Sequence, residues 1–217
     1  MSSSGYNLIL SIYKSRETLL ELLAARGFQV EKYMGYSKNE IDTMTRNGTL
    51  DMMLVDNEES PTKKMYIKYA LDKAMTTQEL EHVMEDLYEN AEDNYKLGSS
   101  VEDGLVIVTA DEPNKKLQGF LAELFTRRQR FVTVFPIKRL QFNVTQHELQ
   151  PREVTILSEE ERDDMMRRYN VKTLTELPEM SRFDPLAMAL FVRPGQVCKM
   201  VRNSPTAMSA PYYRVCL

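Results

Sequence analysis

Apolar and polar positions alternate along the first 140 residues with two periods. In 6–26, Leu8, Ile12, Leu19, Leu22 and Leu23 fall on roughly one helical face, and Gly27 follows where a helix C-cap belongs. Ser37 and Glu40 have capping-box spacing, predicting a second helix that stops at Asn47-Gly48. Residues 50–55 and 65–70 read as strands joined by the turn-rich Asp56-Asn57-Glu58-Glu59-Ser60-Pro61. Thr76 and Glu79 form another capping box, and Leu80, Val83, Leu87, Ala91 and Tyr95 keep helical spacing as far as Gly98. The unbroken apolar run GLVIVT, 104–109, predicts a strand covered on both faces. Asp111-Glu112-Pro113 then opens a helix carrying Leu117, Phe120, Leu121 and Leu124, and a basic loop leads into the short strand FVTVF. Strands alternating with crossover helices imply a mixed or parallel sheet flanked by helices, closing near Arg139.

Beyond that point the pattern changes to closely spaced caps and turns. Ser158-Glu159-Glu160-Glu161 is a capping box with acids in the first turn, and Arg167-Arg168 stand in the last turn. Both ends complement the helix dipole, and Met165, Met166 and Tyr169 supply the expected buried stripe. Asp184-Pro185 reads as N-cap and first-turn proline of a short helix, LAMALF. Arg193-Pro194-Gly195-Gln196 fits a type II turn, with glycine where φ must be positive. Two β-like runs, 196–202 and 212–217, flank a nine-residue loop and can pair antiparallel. Val197, Lys199 and Val201 are then on one face and Cys198, Met200 and Arg202 on the other. The expected architecture is α/β, α+β overall, with domains at 1–141 and 142–217.

Composition narrows the chemistry. With 42% hydrophobic residues, 14 Met and no Trp, the 217-residue chain can build an aliphatic, Met-rich core. A formal net charge of −4 excludes a general grip on nucleic acid, so any such contact needs a local basic patch. Cys198 and Cys216 have no metal spacing and are expected as buried, reduced thiols. No signal peptide or bilayer-length apolar run is visible, so the chain is expected to be soluble and intracellular, with no membrane partner. His147-Glu148 begins like the zinc motif HExxH, but the fourth residue after His147 is Pro151. The element order of the first domain resembles the restriction-endonuclease-like core, with Asp51 and Lys68 at about the catalytic places. Tyr66 stands where that chemistry requires a second carboxylate to hold a divalent metal, which disfavours a nuclease. No cofactor site, glycine-rich phosphate loop or small-molecule substrate site emerges.

The second domain carries a resemblance. NVTQHELQP, LSEEERDDMMRRYNV, LPEM, DPLAMAL, RPGQVCKMVRNSPTA and YYRVCL, in order and at compatible spacing, resemble the assembly domain of the fifth subunit of eukaryotic-type DNA-dependent RNA polymerases and its short archaeal relative, which consists of this domain alone. Departures are Gln146, Glu179-Met180 after the Leu-Pro pair, and Phe191 at or near the family's glycine before the basic turn. The resemblance implies a non-catalytic subunit whose assembly domain docks on the largest polymerase subunit, while a restriction-endonuclease-like jaw domain with a mixed sheet and flanking helices reaches toward downstream double-stranded DNA. It assigns docking to His147, Glu148, Asp184, Pro185, Arg193, Gly195, Lys199, Arg202, Ser204 and Arg214. It brings Lys115, Lys116, Arg127, Arg128 and Arg130 near DNA, as weak, sequence-independent phosphate contacts. The nucleus is the expected location for a cellular owner, and the virion or a cytoplasmic viral factory for a large DNA virus. The competing readings are a free-standing transcription adaptor and the disfavoured divalent-metal nuclease on the first domain.

Overall fold

The computed structural model describes residues 3–56, 63–72, 74–90, 97, 103–151, 153–204 and 206–217. Parts of two sequence expectations lie outside these residues: Asn57 to Pro61 of the first turn, and Ala91, Tyr95 and Gly98 of the third helix. The chain divides into two compact units, Met1–Asn143 and Val144–Leu217, and both are mixtures of helix and mixed sheet.

The first unit opens with α1 (Ser3–Ala24). Ile12, Leu19 and Leu23 are fully buried, whereas Leu8 stays exposed. The helix packs on α2 (Lys38–Asn47) and on a 3-10 turn, Ile137–Leu140. The Ser37–Glu40 capping box forms as expected, and Gly48 closes α2 in the left-handed conformation. Strand β1 (Met52–Val55) pairs antiparallel with β2 (Lys64–Ala70). Then come α3 (Thr77–Glu85), capped by Thr76 and Glu79, β3 (Gly104–Thr109), α4 (Lys115–Arg128) and β4 (Phe131–Pro136).

The sheet order is β1-β2-β3-β4, with β3 parallel to both neighbours. Every residue of β3 is buried, which is why its sequence is apolar without alternation. Two boundaries differ from the sequence reading. The α4 N-cap is Asn114, whose side chain accepts from the Leu117 N–H, so the helix starts after the acidic pair and proline. Regular α-structure after Thr76 stops at Glu85 and passes into a π-helical turn, Asp86–Asn90. One extra residue per hydrogen-bonded ring does not disturb an apolar spacing enough to register in the sequence.

The second unit holds β5 (Glu153–Ile156), α5 (Glu159–Tyr169), β6 (Glu179–Met180), α6 (Pro185–Ala189), β7 (Val197–Ser204) and β8 (Met208–Cys216). Its sheet runs β5-β7-β8-β6, with β6 parallel to β8 and the other pairs antiparallel. The expected nine-residue loop is mostly strand: β7 and β8 form a long ribbon in which Val197 pairs with Val215 and Ser204 with Met208. Prediction of the two β7 faces holds. Cys198, Met200 and Cys216 pack with Leu186, Ala187 and Val192 on one side, and Val197 and Val215 pack with Met165 and Leu177 on the other. This small sheet therefore has a core on each face. Met165 is buried as expected, but Tyr169 is half-exposed and rests against Tyr213 with ring centroids 5.5 Å apart.

Two turns position the ribbon. Gly195 has φ +87°, and the Gln196 N–H donates to the Arg193 carbonyl at 3.1 Å, as the type II turn requires. An added Cβ at Gly195 would meet nothing within 4 Å, so the penalty of Gly195→Ala is purely one of backbone conformation. Chemical denaturation of that variant should show a loss of about 1–2 kcal/mol, and an unchanged midpoint would refute the turn assignment.

Upstream, α6 ends in a Schellman arrangement. The Val192 N–H donates to the Ala187 carbonyl and the Phe191 N–H to that of Met188. Phe191 takes the glycine-type position with φ +52°. Left-handed backbone costs roughly 1–2 kcal/mol for a residue with a Cβ. Burying a phenylalanine to 2% exposure stabilises by about 1.5–3 kcal/mol, which offsets it.

Candidate functional site

Within the second unit, three segments converge on a groove of about 800 Å³. The loop 148–151 contributes Glu148 and the 86%-exposed Leu149. The start of α6 contributes Asp184 and Pro185, and the β7–β8 ribbon contributes Met200, Arg202, Asn203 and Arg214. Register explains the arrangement. Opposed residues of an antiparallel pair share a face, and Cys198 opposes Arg214, Met200 opposes Tyr212 and Arg202 opposes Ala210. Both arginines thus come to the side of Tyr212. The Arg202 guanidinium carbon lies 4.3 Å from its ring centroid and that of Arg214 5.4 Å. A ring within cation–π reach of two guanidinium groups steadies both and leaves their N–H groups for carboxylate or carbonyl oxygens.

The groove brings together five residues named from the sequence: Glu148, Asp184, Pro185, Arg202 and Arg214. Its charged lining is two arginines and two carboxylates, so the groove carries both signs of charge. A partner would have to present both signs. Asp184 also caps α6, its Oδ1 accepting from the Leu186 N–H at 2.9 Å.

The other expected docking residues lie elsewhere in the unit. His147 is exposed, and its Nδ1 accepts from the Leu149 N–H at 3.2 Å, shaping the loop that forms one groove wall. Lys199 is on the opposite sheet face, across from Tyr213 and Thr155. Ser204 closes the ribbon end by accepting from the Ala207 N–H at 3.3 Å. Gly195 is at the turn, where its N–H donates to the Cys216 carbonyl at 2.8 Å.

Arg193 is buried at 6% exposure, and its backbone N–H donates to the Gln196 Oε1 at 2.8 Å. Arg182, which the sequence reading passed over, is equally buried; its backbone N–H donates to the Leu217 carbonyl. Desolvation holds the Arg182 guanidinium pKa below its ordinary value. Nothing in its sequence neighbourhood distinguishes it from a solvated base. Both cysteines are free and buried, and burial pushes the Cys216 thiol up to about 11, so it is an unreactive packing group.

In the first unit, Lys115 and Lys116 are exposed in the first turn of α4, while Arg127 and Arg128 occupy its last turn. At 1.5 Å per residue the two pairs stand about 18 Å apart along the axis. They cannot form one basic patch. Arg127 pairs with Glu123 at 2.9 Å, and the Arg130 guanidinium carbon lies 4.1 Å from the Tyr88 ring centroid.

Asp51 is held by protein donors on both oxygens. The Tyr69 N–H reaches Oδ1 at 3.0 Å, and the Tyr66 hydroxyl reaches Oδ2 at 3.0 Å, with Lys68 Nζ 3.5 Å from that same atom. The carboxylate therefore serves as a clip tying the start of β1 to β2. Among the described residues no group of three or more His, Cys, Asp or Glu converges to hold a metal ion.

A family model, "RNA polymerase Rpb5, C-terminal domain", matches residues 142–216. The DNA-directed RNA polymerase subunit Rpo5 of Thermococcus onnurineus is 43% identical over 75 residues, covering 35% of this chain and 89% of that protein. Longer and weaker similarity extends to eukaryotic proteins. The DNA-directed RNA polymerases I, II, and III subunit RPABC1 of Caenorhabditis elegans is 23% identical over 215 residues, 94% of each chain. Its namesake in Dictyostelium discoideum is 26% identical over 203 residues, covering 93% of this chain and 95% of that protein.

Proposed function

This chain belongs to the Rpb5/Rpo5 family of DNA-directed RNA polymerase subunits, and from that membership we propose how its two units serve the enzyme. It is a structural subunit of the polymerase, with other polymerase subunits as its partners. The observation that carries the reading is the extent of the match. The family model covers 142–216, nearly the span of the second unit, and a 75-residue match covers 89% of an archaeal subunit. That unit, with residues 142–217 as the assembly domain, docks on the largest subunit through its groove. Arg202 and Arg214 meet acidic or carbonyl groups there, while Glu148 and Asp184 meet basic ones. His147 and Pro185 shape the groove walls, and Gly195 and Arg193 hold the ribbon beside them. Lys199 and Ser204 extend the contact beyond the groove.

Residues 1–141 form a restriction-endonuclease-like jaw without catalytic activity. Three observations favour this: the mixed sheet with flanking helices, a Tyr at position 66, and an Asp51 whose oxygens are engaged by protein donors. The jaw extends toward downstream DNA, with Lys115 and Lys116 at one end of α4 and Arg127, Arg128 and Arg130 at the other approaching separate phosphates. Such contacts are sequence-independent and weaken as salt rises. In a eukaryotic cell the protein works in the nucleus.

Mass spectrometry of the native complex tests the assignment. The tagged chain is expected to bring down the large polymerase subunits in stoichiometric amounts. Recovery of the chain without them would overturn it.

A further inference from the structure

The first unit contains a second concavity, about 320 Å³, between α1 and residues 30–41. Its lining is mainly apolar and aromatic, with Leu20, Val30, Ile41, Tyr33 and Tyr36 among the residues that form it. Arg16 also lines it, although only 3% of the residue is exposed. Its Nη1 donates to the Leu50 carbonyl at 2.9 Å, and its guanidinium carbon lies 5.7 Å and 5.4 Å from the Tyr33 and Tyr36 ring centroids. Its buried Nε has no hydrogen-bond partner among the described residues. No carboxylate among them pairs with it. A cation taken out of water without a counter-charge is costly, and an arginine does not relieve the cost by losing its proton.

We propose that this pocket binds a short peptide segment of a partner protein, presenting one carboxylate to Arg16 between apolar side chains that fill the space against Leu20, Val30 and Ile41. Charge selects this occupant over a nucleic-acid strand. Glu17 and Glu21 line the pocket and are exposed, and they repel the several charges of a polyphosphate backbone more strongly than the single charge of one carboxylate. The tyrosine rings favour an apolar side chain beside the carboxylate. The pocket lies in a different unit from the docking groove, and the proposal does not depend on the groove's role.

The test is an NMR titration of the isotopically labelled full chain with two isosteric peptides, Ac-Leu-Asp-Phe-NH2 and Ac-Leu-Asn-Phe-NH2. The Asp peptide should shift the Arg16 Nε–H and the ring signals of Tyr33 and Tyr36. It should bind at least about tenfold more tightly than the Asn peptide, the ratio expected of a charge-assisted bond. Ala24→Trp, at an exposed position on the pocket wall, should remove these shifts while leaving the core methyl spectrum intact. Equal affinity for the two peptides, no response to either, or unchanged binding by A24W would overturn the proposal. Tighter binding of adenosine 5′-monophosphate than of the Asp peptide would reassign the pocket to nucleotides.

Discussion

Arg202→Glu and Arg214→Glu together are expected to release the chain from the polymerase while leaving it folded. The two guanidinium groups flank Tyr212 in the same groove. Reversal removes two cation–π contacts of about 0.5–1 kcal/mol each. It also sets glutamates against whatever acidic or carbonyl groups the partner presents. Losing one partner of a buried interfacial charge pair costs about 2–5 kcal/mol, and Arg202 is exposed, so the lower end applies to it. The combined effect should be at least a ~100-fold loss of affinity for the polymerase core. Circular dichroism of the free variant should match that of the native chain. Lys199→Glu is the comparison: outside the groove and on the other sheet face, it should weaken the contact less than the double variant does. Dissociation by Lys199→Glu with retention of the double variant would show that the opposite face docks.

High pH should unfold the first unit through two phenols. Burial, the main cause in each case, pushes Tyr69 and Tyr88 up to about 12. An unfolded tyrosine loses its proton near pH 10, whereas these hold theirs to about 12 in the folded state. Between those values the folded chain binds more protons than the unfolded one, so stability falls as pH rises. The slope is about 1.4 kcal/mol per pH unit for each phenol, and the two together remove roughly 5 kcal/mol by pH 12. That is of the order of a domain's whole stability.

Tyr88→Phe separates this from general alkaline damage. The Tyr88 hydroxyl is buried without a hydrogen-bond partner among the described residues, so its removal should be neutral or stabilising at pH 7. The same change should roughly halve the decline above pH 10. Denaturant titrations at pH 7, 10 and 11 would decide, and the idea fails if the variant and the native chain lose stability in parallel. In the second unit the comparable decline begins nearer pH 9, where an ordinary thiol ionises and Cys216 does not.

The elements legible in the sequence are those whose cause is local. Ser37 with Glu40, Thr76 with Glu79 and Ser158 with Glu161 each bond across three residues, and all three capping boxes form. The all-buried β3 was legible because double-sided burial removes alternation. The short edge strands β5 and β6 left no comparable mark, since each depends on a distant neighbour for its pairing. Residues 208–211, Met-Ser-Ala-Pro, carry no strand pattern, yet they continue the ribbon because β7 pairs with them. The turn motif at Arg193 was legible, but not that the fold buries its side chain, since that depends on packing around the turn.

For function, the motif order of 142–217 was enough to identify the family, because it survives as spacing along the chain. The faces of β7 also followed from the sequence, since a strand alternates with period two whatever its neighbours. Only the tertiary structure decided that Arg202 and Arg214 share a groove with Glu148 and Asp184, because cross-strand register and the approach of the 148–151 loop are set by packing between distant segments. It likewise decided that the two basic clusters of the first unit lie at opposite ends of one helix, and that Asp51 is a clip between strands. Local bonding rules are written into neighbouring residues; which charges meet depends on long-range closure of the chain.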